Sequence, residues 1–535
     1  MRSSRGRLLL TVLLGGALVV TGCSAGSTTA GTTTAAPTTT AAGTGGPTSA
    51  GESGAPSPSG STGAAPSDAS LAIGFVLEPD SLDFTQADGA AIPQLLLTNV
   101  YETLVKLDQD GKIVPSLADS WSVSDDGKTY TFKLHPGVKF SNGAPFTADD
   151  AKFSIERVKT TWKPAVKAAM DVVDSVTATS PTELTVKLKQ PSNSWLWKMT
   201  SRIGAMFSKD GVADLATKPI GTGPYAFQTW NRGDSIVLQR NPSYWGPAPS
   251  VKTVTFKYFK DATAMDNALL TGGIQVVSTE QNPEALSQFD TSKYQIIEGT
   301  TDGKVMMTLN NGKAPLNDKR VRQAINYAID KDAIVKGAWA GYGKPLGSHE
   351  SPNDPWFEDL SGKYPHDVAK AKALLAEAGQ SDLKLSLKLP PTGYAKNAAP
   401  FIVSELKEAG ITVTASDVTF PVWLDQVFGK ADYDMTIINH VEPRDVGTVF
   451  GKANANDYYT RYSNPEVVKL LAEGDAGDEA TYVANNKKVV EILADDAAAA
   501  WLWSFPNLMV AENNVKGLPK NLVGEAFVLA NLSVS

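Results

Sequence analysis

Several segments of the chain alternate apolar and polar residues. Residues 130–134, 184–188, 254–258 and 383–389 each carry an apolar side chain at every second position. Successive side chains of a strand point to opposite faces of the sheet. The pattern therefore predicts strands with one buried face.

Apolar residues also recur at helical spacing. Residues 321–329 place them at i, i+3, i+4, i+7 and i+8, and residues 368–378 form a second stripe that ends before Gly379. A third helix is expected at about 400–409, followed by a strand at 411–413. Helices that alternate with strands predict an α/β architecture.

Two polar motifs indicate where elements begin. Residues 124–128 (SDDGK) lie between two strand-like runs and predict a hairpin turn. Thr147 is placed as the N-cap of a helix, with Asp150 three residues later in the capping-box position.

The first residues have the pattern of a secretion signal. Three arginines precede a 13-residue, mostly apolar run at 8–20, which is too short to span a bilayer as a helix. The sequence VTGC that ends at Cys23 resembles a bacterial lipobox. It predicts removal of the signal peptide 1–22 and lipidation of Cys23, which would anchor the protein at the extracytoplasmic face of the cell membrane. The alternative is an ordinary signal peptide with a chance cysteine.

The next segment, residues 23–70, has a restricted composition. After Cys23 it consists almost entirely of Ser, Thr, Ala, Gly and Pro, with Glu52 and Asp68 as the exceptions. A segment without large apolar side chains cannot form a hydrophobic core. We therefore expect a flexible tether rather than a small folded domain.

Composition restricts the possible functions of the remaining chain. Of the 535 residues 42% are hydrophobic, and 49 basic against 57 acidic residues give a formal net charge of −8. This charge argues against a nucleic-acid-binding protein. The single cysteine excludes an intramolecular disulfide and a zinc site built on cysteines. The sequence contains no P-loop, nucleophile-elbow or HExxH motif, so we expect neither an enzyme nor a bound cofactor or metal.

Eight short motifs occur in an order that is typical of one protein family. They are residues 99–104 (NVYETL), 115–121 (PSLADSW), 130–134 (YTFKL), 145–150 (PFTADD), 221–225 (GTGPY), 240–246 (RNPSYWG), 318–330 (DKRVRQAINYAID) and 370–379 (KAKALLAEAG). On these motifs the chain resembles the extracytoplasmic solute-binding proteins of family 5, which serve peptide and nickel ABC importers. The motifs span nearly all of residues 71–535.

The resemblance implies a two-lobed α/β fold of the periplasmic-binding-protein type II, with a hinge and an extra subdomain in the large lobe. We place lobe I at 71–280 and 506–535, and lobe II at 281–505. It also implies a monomeric receptor that captures small peptides between its lobes and delivers them to separate permease and ATPase subunits. The alternative cargo is a nickel chelate, haem, a sugar or another small solute. A surface chaperone or a signalling protein is a further alternative.

A peptide ligand needs a carboxylate for its ammonium group, a cation for its carboxylate and a strand edge for its backbone. An apolar run ends in a polar cluster that offers such groups, namely Asn439, His440, Val441, Glu442, Arg444 and Asp445. Glu442 is the first candidate for the ligand ammonium, and Asp445 is the second. Arg444 is the candidate for the ligand carboxylate, unless it pairs with Glu442 or Asp445.

Three further residues are candidates for the ligand site. Residues 77–83 resemble a loop that the family places at the edge of the cleft, so Ser81 is a candidate contact, with a solvated turn as the alternative. Trp423 follows Pro421 and is a candidate pocket wall, with a core position as the alternative. His440 has the chemistry of a metal ligand, but a single histidine in a cleft more often forms hydrogen bonds.

Overall fold

The computed structural model describes residues 65–76, 78–87 and 89–535 as a mixed α/β protein. The expected signal peptide, Cys23 and most of the expected tether lie outside the described residues. Within the described residues, no helix is long and apolar enough to cross a bilayer.

The helices cover both halves of the described chain. They are α1 (Ala91–Leu96), α2 (Ala148–Thr161), α3 (Asn193–Lys198), α4 (Ala262–Leu270), α5 (Lys319–Ala328), α6 (Lys331–Ala338), α7 (Val368–Glu377), α8 (Gly393–Glu408), α9 (Phe420–Trp423), α10 (Val446–Val449), α11 (Pro465–Ala476) and α12 (Glu479–Asp495).

The strands are interleaved with these helices. They are β1 (Ser70–Phe75), β2 (Val105–Leu107), β3 (Ile113–Pro115), β4 (Ala118–Val123), β5 (Thr129–Leu134), β6 (Val173–Ser180), β7 (Glu183–Leu188), β8 (Tyr225–Asn231), β9 (Ser235–Arg240), β10 (Thr253–Tyr258), β11 (Val276–Val277), β12 (Tyr294–Leu309), β13 (Lys344–Pro345), β14 (Leu383–Leu389), β15 (Ile411–Asp417), β16 (Met435–His440), β17 (Ala499–Glu512), β18 (Val515–Lys516) and β19 (Ser533–Val534).

The sequence patterns predicted many of these elements correctly. The alternating segments form β5, β7, β10 and β14, and the two helical stripes form α5 and α7. The hairpin turn is confirmed between β4 and β5, where Gly127 has a φ of 68°. The capping box is also confirmed, because the Asp150 carboxylate accepts the backbone N–H of Thr147 at 3.0 Å.

The third predicted helix begins earlier than expected. α8 starts at Gly393, and Pro400 lies inside it. Tyr394, Ala395 and Ala398 are buried, so the apolar face of the helix extends about two turns further toward its N-terminus. The burial of this face outweighs the hydrogen bond that Pro400 cannot donate.

Most long strands belong to one large sheet. Its order is β15-β14-β16-β12-β17-β11-β1-β10-β9-β8, and β13 pairs with β17. A separate four-stranded antiparallel sheet has the order β4-β5-β7-β6. At the centre of the large sheet lie the antiparallel neighbours β12 and β17, which are 16 and 14 residues long.

The pairing of β12 with β17 is interrupted by a bulge. The register moves from Thr300 opposite Pro506 to Lys304 opposite Ser504. Within the bulge, the Thr301 hydroxyl donates to the carbonyl oxygen of Phe505 at 2.6 Å. A Cβ atom on Gly303 would lie 2.7 Å from the Cβ of Phe505. The bulge therefore requires glycine at position 303.

Different stretches of the chain build different hydrophobic cores. The first core draws on residues 71–276 together with 509–532. Two further clusters, the interior cores, draw on residues 305–505 and 306–501. A small fourth cluster combines residues 265–289 with Leu508 and Val510. The first core thus contains residues from both ends of the described chain.

Asn99 forms hydrogen bonds that hold the C-terminal segment against the first core. Its buried side chain donates to the carbonyl oxygen of Phe527 at 2.8 Å and accepts the backbone N–H of Leu529 at 3.0 Å. Both polar groups of the amide are therefore satisfied by the final residues of the chain.

Candidate functional site

The predicted polar cluster begins where β16 ends. β16 pairs with β12, with Asn439 opposite Val305 and His440 opposite Lys304. The chain then leaves the sheet, three residues before Pro443. Residues 441–445 consequently lie beside the bulge at which the chain passes between the first core and the interior cores.

Glu442 is paired with an arginine from the first core. Its carboxylate contacts the guanidinium of Arg202, which is 3% exposed. Glu525 holds the same arginine, because it lies 3.0 Å from Nε and accepts the Arg202 backbone N–H at 2.7 Å. Burial raises the pKa of Glu442, although the charge of Arg202 opposes this shift. The first candidate for a ligand ammonium thus already has a cationic neighbour.

Asp445 lies in a buried ion pair with Lys304. The Lys304 ammonium is 3.0 Å from the Asp445 carboxylate and donates to the carbonyl oxygens of Glu442 at 2.8 Å and Asp302 at 2.9 Å. Burial alone would raise the pKa of Asp445, but Lys304 and His349 hold it well below its usual range. Lys304 therefore fixes the backbone that carries Glu442.

Two histidines complete the network around Asp445. His349 Nε2 lies 2.8 Å from the Asp445 carboxylate, and its Nδ1 accepts the indole N–H of Trp501 at 3.3 Å. The proton of His349 is therefore on Nε2. His440 forms the hydrogen bond expected of it, because its Nε2 lies 2.7 Å from the Tyr459 hydroxyl.

The same three residues have the composition of a metal site. His349, His440 and Asp445 present ligand atoms within 4.8 Å of one another. The ammonium of Lys304 is 3.0 Å from the only carboxylate of this trio, so a metal cation would face a fixed positive charge. The geometry favours an internal hydrogen-bond network over metal ligation.

Arg444 pairs with neither Glu442 nor Asp445, so that alternative is wrong. Its guanidinium carbon lies 4.8 Å from the ring centroid of Trp197 and 5.8 Å from that of Trp356. Arg444 has a φ of 51°, an unfavourable conformation for a residue with a Cβ atom. The turn that follows Pro443 thus directs the guanidinium toward aromatic faces.

The remaining candidates have different surroundings. Val441 is 38% exposed, whereas the side-chain oxygen of Asn439 is buried without a hydrogen-bond partner. Trp423 is a core residue rather than a pocket wall, because it is 4% exposed and donates its indole N–H to Thr436. Ser81 accepts the backbone N–H of Asp83 at 3.0 Å, which is a local turn contact.

A second contact joins the first core to an interior core. The Asp475 carboxylate at the end of α11 accepts the Ser192 hydroxyl at 2.7 Å and the Ser194 backbone N–H at 2.8 Å. The Asn193 amide donates to the carbonyl oxygen of Gly477 at 2.7 Å. The N-terminus of α3 is therefore held by its own N-cap Ser192, which accepts the backbone N–H of Trp195, and also by residues far away in the chain.

Sequence reasoning missed the basic partners of the predicted acids. Arg202 directly precedes the mostly apolar stretch 203–207, and Lys304 directly precedes the apolar residues 305–307 of β12. An isolated charge at the edge of a buried segment was the available signal, since such charges are rarely buried without a partner. The neighbouring residues in the sequence do not indicate which acid each of these basic residues pairs with.

An α/β chain with separate cores, joined by long strands and by charged contacts, has the architecture of a solute-binding protein. The family model of the bacterial extracellular solute-binding proteins, family 5 (middle region), matches residues 112–446. The chain belongs to this family.

Similar proteins carry different names. The chain is 31% identical over 324 residues to the glutathione-binding protein GsiB of Pectobacterium atrosepticum, covering 59% of this chain and 62% of that protein. It is 31% identical over 344 residues to the nickel-binding periplasmic protein of Escherichia coli, covering 59% and 65%. The matches therefore span less than two thirds of these relatives.

A solved structure shows the same fold over most of the chain. The ABC transporter-associated periplasmic binding protein DppA of Helicobacter pylori, in complex with the peptide STSA, superimposes with a TM-score of 0.80 at 24% identity. The superposition covers 87% of this chain and 98% of that one. The expected fold is confirmed.

Proposed function

We propose that this protein is an extracytoplasmic receptor that binds small peptides and delivers them to the permease of an ABC importer. The observation that carries the proposal is the contact between Glu442 and Arg202. Arg202 precedes Ile203 of the first core, and Glu442 lies between Ile438 and Val446 of an interior core. A ligand ammonium that replaces Arg202 at Glu442 would bind at this junction. The similarity in fold to a peptide-bound DppA supports the same cargo class.

The proposed movement is closure of two lobes around the ligand. We assign lobe I to residues 71–280 and 506–535, and lobe II to 281–505. The first core and the interior cores support two lobes, and the boundary at 505/506 falls within β17 opposite the bulge at 301–303. The fourth cluster joins residues on both sides of the boundary at 280/281. A ligand that contacts both lobes binds the closed form more tightly and shifts the equilibrium toward it.

Membrane attachment is part of the proposal. The lipobox at Cys23 and the tether after it support a lipid-anchored receptor at the outer face of the cell membrane. Transport then requires separate permease and ATPase subunits. The receptor itself acts as a monomer without catalysing a reaction.

A nickel chelate is the second candidate cargo. The cluster of His349, His440 and Asp445 favours it, as does the similarity to a nickel-binding periplasmic protein. The ammonium of Lys304 beside Asp445 disfavours it. We therefore rank peptides first.

Native mass spectrometry of the protein purified from rich medium tests both candidates. For a receptor of small peptides, we expect bound species with the masses of peptides of two to five residues. A metal chelate as the only bound species would overturn the peptide assignment. An empty protein that also fails to bind a peptide mixture in calorimetry would overturn it as well.

A further inference from the structure

A groove of about 600 Å³ lies beside β8 at one edge of the large sheet. Five consecutive residues of the strand, 226–230, line this β8 groove, and residues 141–142, 217–220 and Arg232 line the rest. Among the described strands, β9 is the only neighbour of β8. The lining includes none of the residues around Glu442, so the β8 groove is not the proposed cargo site.

The backbone of β8 is free on the side away from β9. At the start of the strand this side is still occupied, because the Tyr225 N–H donates to the carbonyl oxygen of Asn99 at 2.9 Å. In the part of the chain that the structure describes, the backbone groups of residues 226–230 bond to no element other than β9. The N–H and C=O groups of this edge are therefore open to pairing with an added strand.

The β8 groove is positively charged, although the protein has a formal net charge of −8. Its lining includes the exposed residues Lys218 and Arg232 but no acidic residue. The Arg232 guanidinium carbon lies 3.4 Å from the ring centroid of Trp230, and the guanidinium donates to the carbonyl oxygen of Asp80 at 3.0 Å. Neither basic side chain forms an ion pair with a carboxylate of the described residues.

Two carboxylates near the β8 groove bind other donors. Asp214 accepts the hydroxyl of a neighbouring threonine at 2.6 Å. Glu78 accepts the indole N–H of Trp230 at 2.7 Å. These hydrogen bonds leave Lys218 and Arg232 as the charges that a strand in the groove would meet.

An extended segment in the β8 groove is expected to be short. Five extended residues span about 17 Å, and the register of β8 on β9 shifts between Phe227 and Thr229. Such a bulge twists an edge strand and disfavours long pairing. A segment of about five residues therefore fits the edge better than a long strand does.

The charge of the β8 groove determines which strand fits it. A second copy of this chain does not, because pairing of two β8 edges would bring like charges together. An extended segment with carboxylates complements both the free backbone and the two cations. We propose that the β8 groove is a docking site for a short, extended, acidic segment of a partner protein, which adds a strand to the large sheet. This site goes beyond the proposed function and does not depend on the identity of the cargo.

Calorimetry with the full chain and a blocked peptide tests the docking site. The probe is the pentapeptide EVEVE with an acetylated N-terminus and an amidated C-terminus, so it offers no terminal charge to the cargo site. Lys218→Glu/Arg232→Glu is expected to bind the probe about tenfold more weakly than the wild type does. The control Lys187→Glu reverses an exposed charge on β7 outside the groove and should bind as the wild type does. Equal losses in both variants, or no binding by the wild type, would overturn the proposal.

Hydrogen exchange distinguishes strand addition from attraction between charges alone. With the probe bound, the backbone amides of residues 226–230 should exchange more slowly, whereas those of β15 at the other edge of the sheet should be unchanged. The same peptide N-methylated at every residue keeps its charges but cannot donate backbone hydrogen bonds. It should bind at least about tenfold more weakly and leave the exchange of β8 unchanged.

A polyanion without a peptide backbone supplies the remaining comparison. Polygalacturonate should bind the wild type and Lys218→Glu/Arg232→Glu without slowing exchange along residues 226–230. If polygalacturonate protects these amides as the probe does, the β8 groove is a glycan site and strand docking is overturned. Equal affinities of the N-methylated peptide and its parent would also overturn strand docking.

Discussion

The carboxylate of Asp475 accepts the backbone N–H of Ser194 at 2.8 Å. The two residues belong to different cores and are 281 positions apart. One N–H donor in the first turn of α3 is thus satisfied by a residue of the other core, while the N–H of Trp195 is satisfied by the N-cap Ser192. If the cores separate, the N–H of Ser194 loses its partner, so the contact favours the closed arrangement.

Asp475→Ala is therefore expected to weaken closure. Loss of the hydrogen bonds that Asp475 accepts costs about 1 kcal/mol, which corresponds to about a fivefold loss of affinity for a ligand that binds the closed form. The Asp475→Ala variant should also show faster hydrogen exchange at the backbone amides of α3. Asp478→Ala is the control, because Asp478 caps α12 within its own part of the chain. Equal effects of both variants on ligand affinity would contradict the prediction.

Glu442→Gln should discriminate between peptides with free and blocked amino groups. A neutral amide loses the charge-assisted contact with an ammonium, so we expect free trialanine to bind about tenfold more weakly. N-acetyl-trialanine should bind nearly as before. Glu525→Gln is the control, since Glu525 holds Arg202 from the other side. Calorimetry that finds equal losses for the two peptides would rule out Glu442 as the ammonium site.

Lys304→Met leaves the Asp445 carboxylate buried without its cation. Removing one member of a buried ion pair costs about 3–5 kcal/mol, so the midpoint of urea unfolding should fall markedly. Adding Asp445→Asn should recover part of the loss. Lys313→Met breaks an ion pair in which the lysine is 47% exposed, and should cost less than about 1 kcal/mol. A similar cost for both lysines would show that the buried network does not stabilise the fold.

The stability of the protein should fall as the pH rises, owing to two buried carboxyl groups. Glu280 and Asp266 lie against each other at 0% and 2% exposure. Burial and the charge of Asp266 raise the pKa of Glu280 to about 8. The folded state therefore keeps a proton that the unfolded state releases above its ordinary pKa of 4.5. This contribution is complete below pH 4.5 and lost as the pH passes 8.

Urea unfolding of Glu280→Gln between pH 5 and pH 9 measures this contribution. Glutamine cannot ionise, so the variant should lose less stability over this range than the wild type does. Glu284→Gln, an exposed neighbour in the same segment, should keep the pH dependence of the wild type. Parallel pH profiles for wild type and Glu280→Gln would show that this pair does not titrate with folding.

Local patterns predicted the elements with one buried face, and missed those buried on both faces. β14 alternates Leu with polar residues and was found by its period. β17 is buried at 13 consecutive positions, so it has no alternation to detect. The polar cluster at 439–445 was found because an apolar run ends there. The pairing of this cluster with Arg202, Lys304 and His349 could not be predicted, because contacts between distant segments leave no trace in local spacing.

The contacts of Asn99 with residues 527 and 529 have a consequence for the order of folding during synthesis. The interior cores have all their residues once position 505 has emerged, whereas the first core still lacks Met509, Phe527 and Leu529. We expect the interior cores to fold first, although their residues are synthesised after residues 71–276. The first core can fold only when the end of the chain has been made. Until then, apolar residues of the first half are exposed to chaperones and proteases. We therefore expect quality control to act on this portion of the nascent chain.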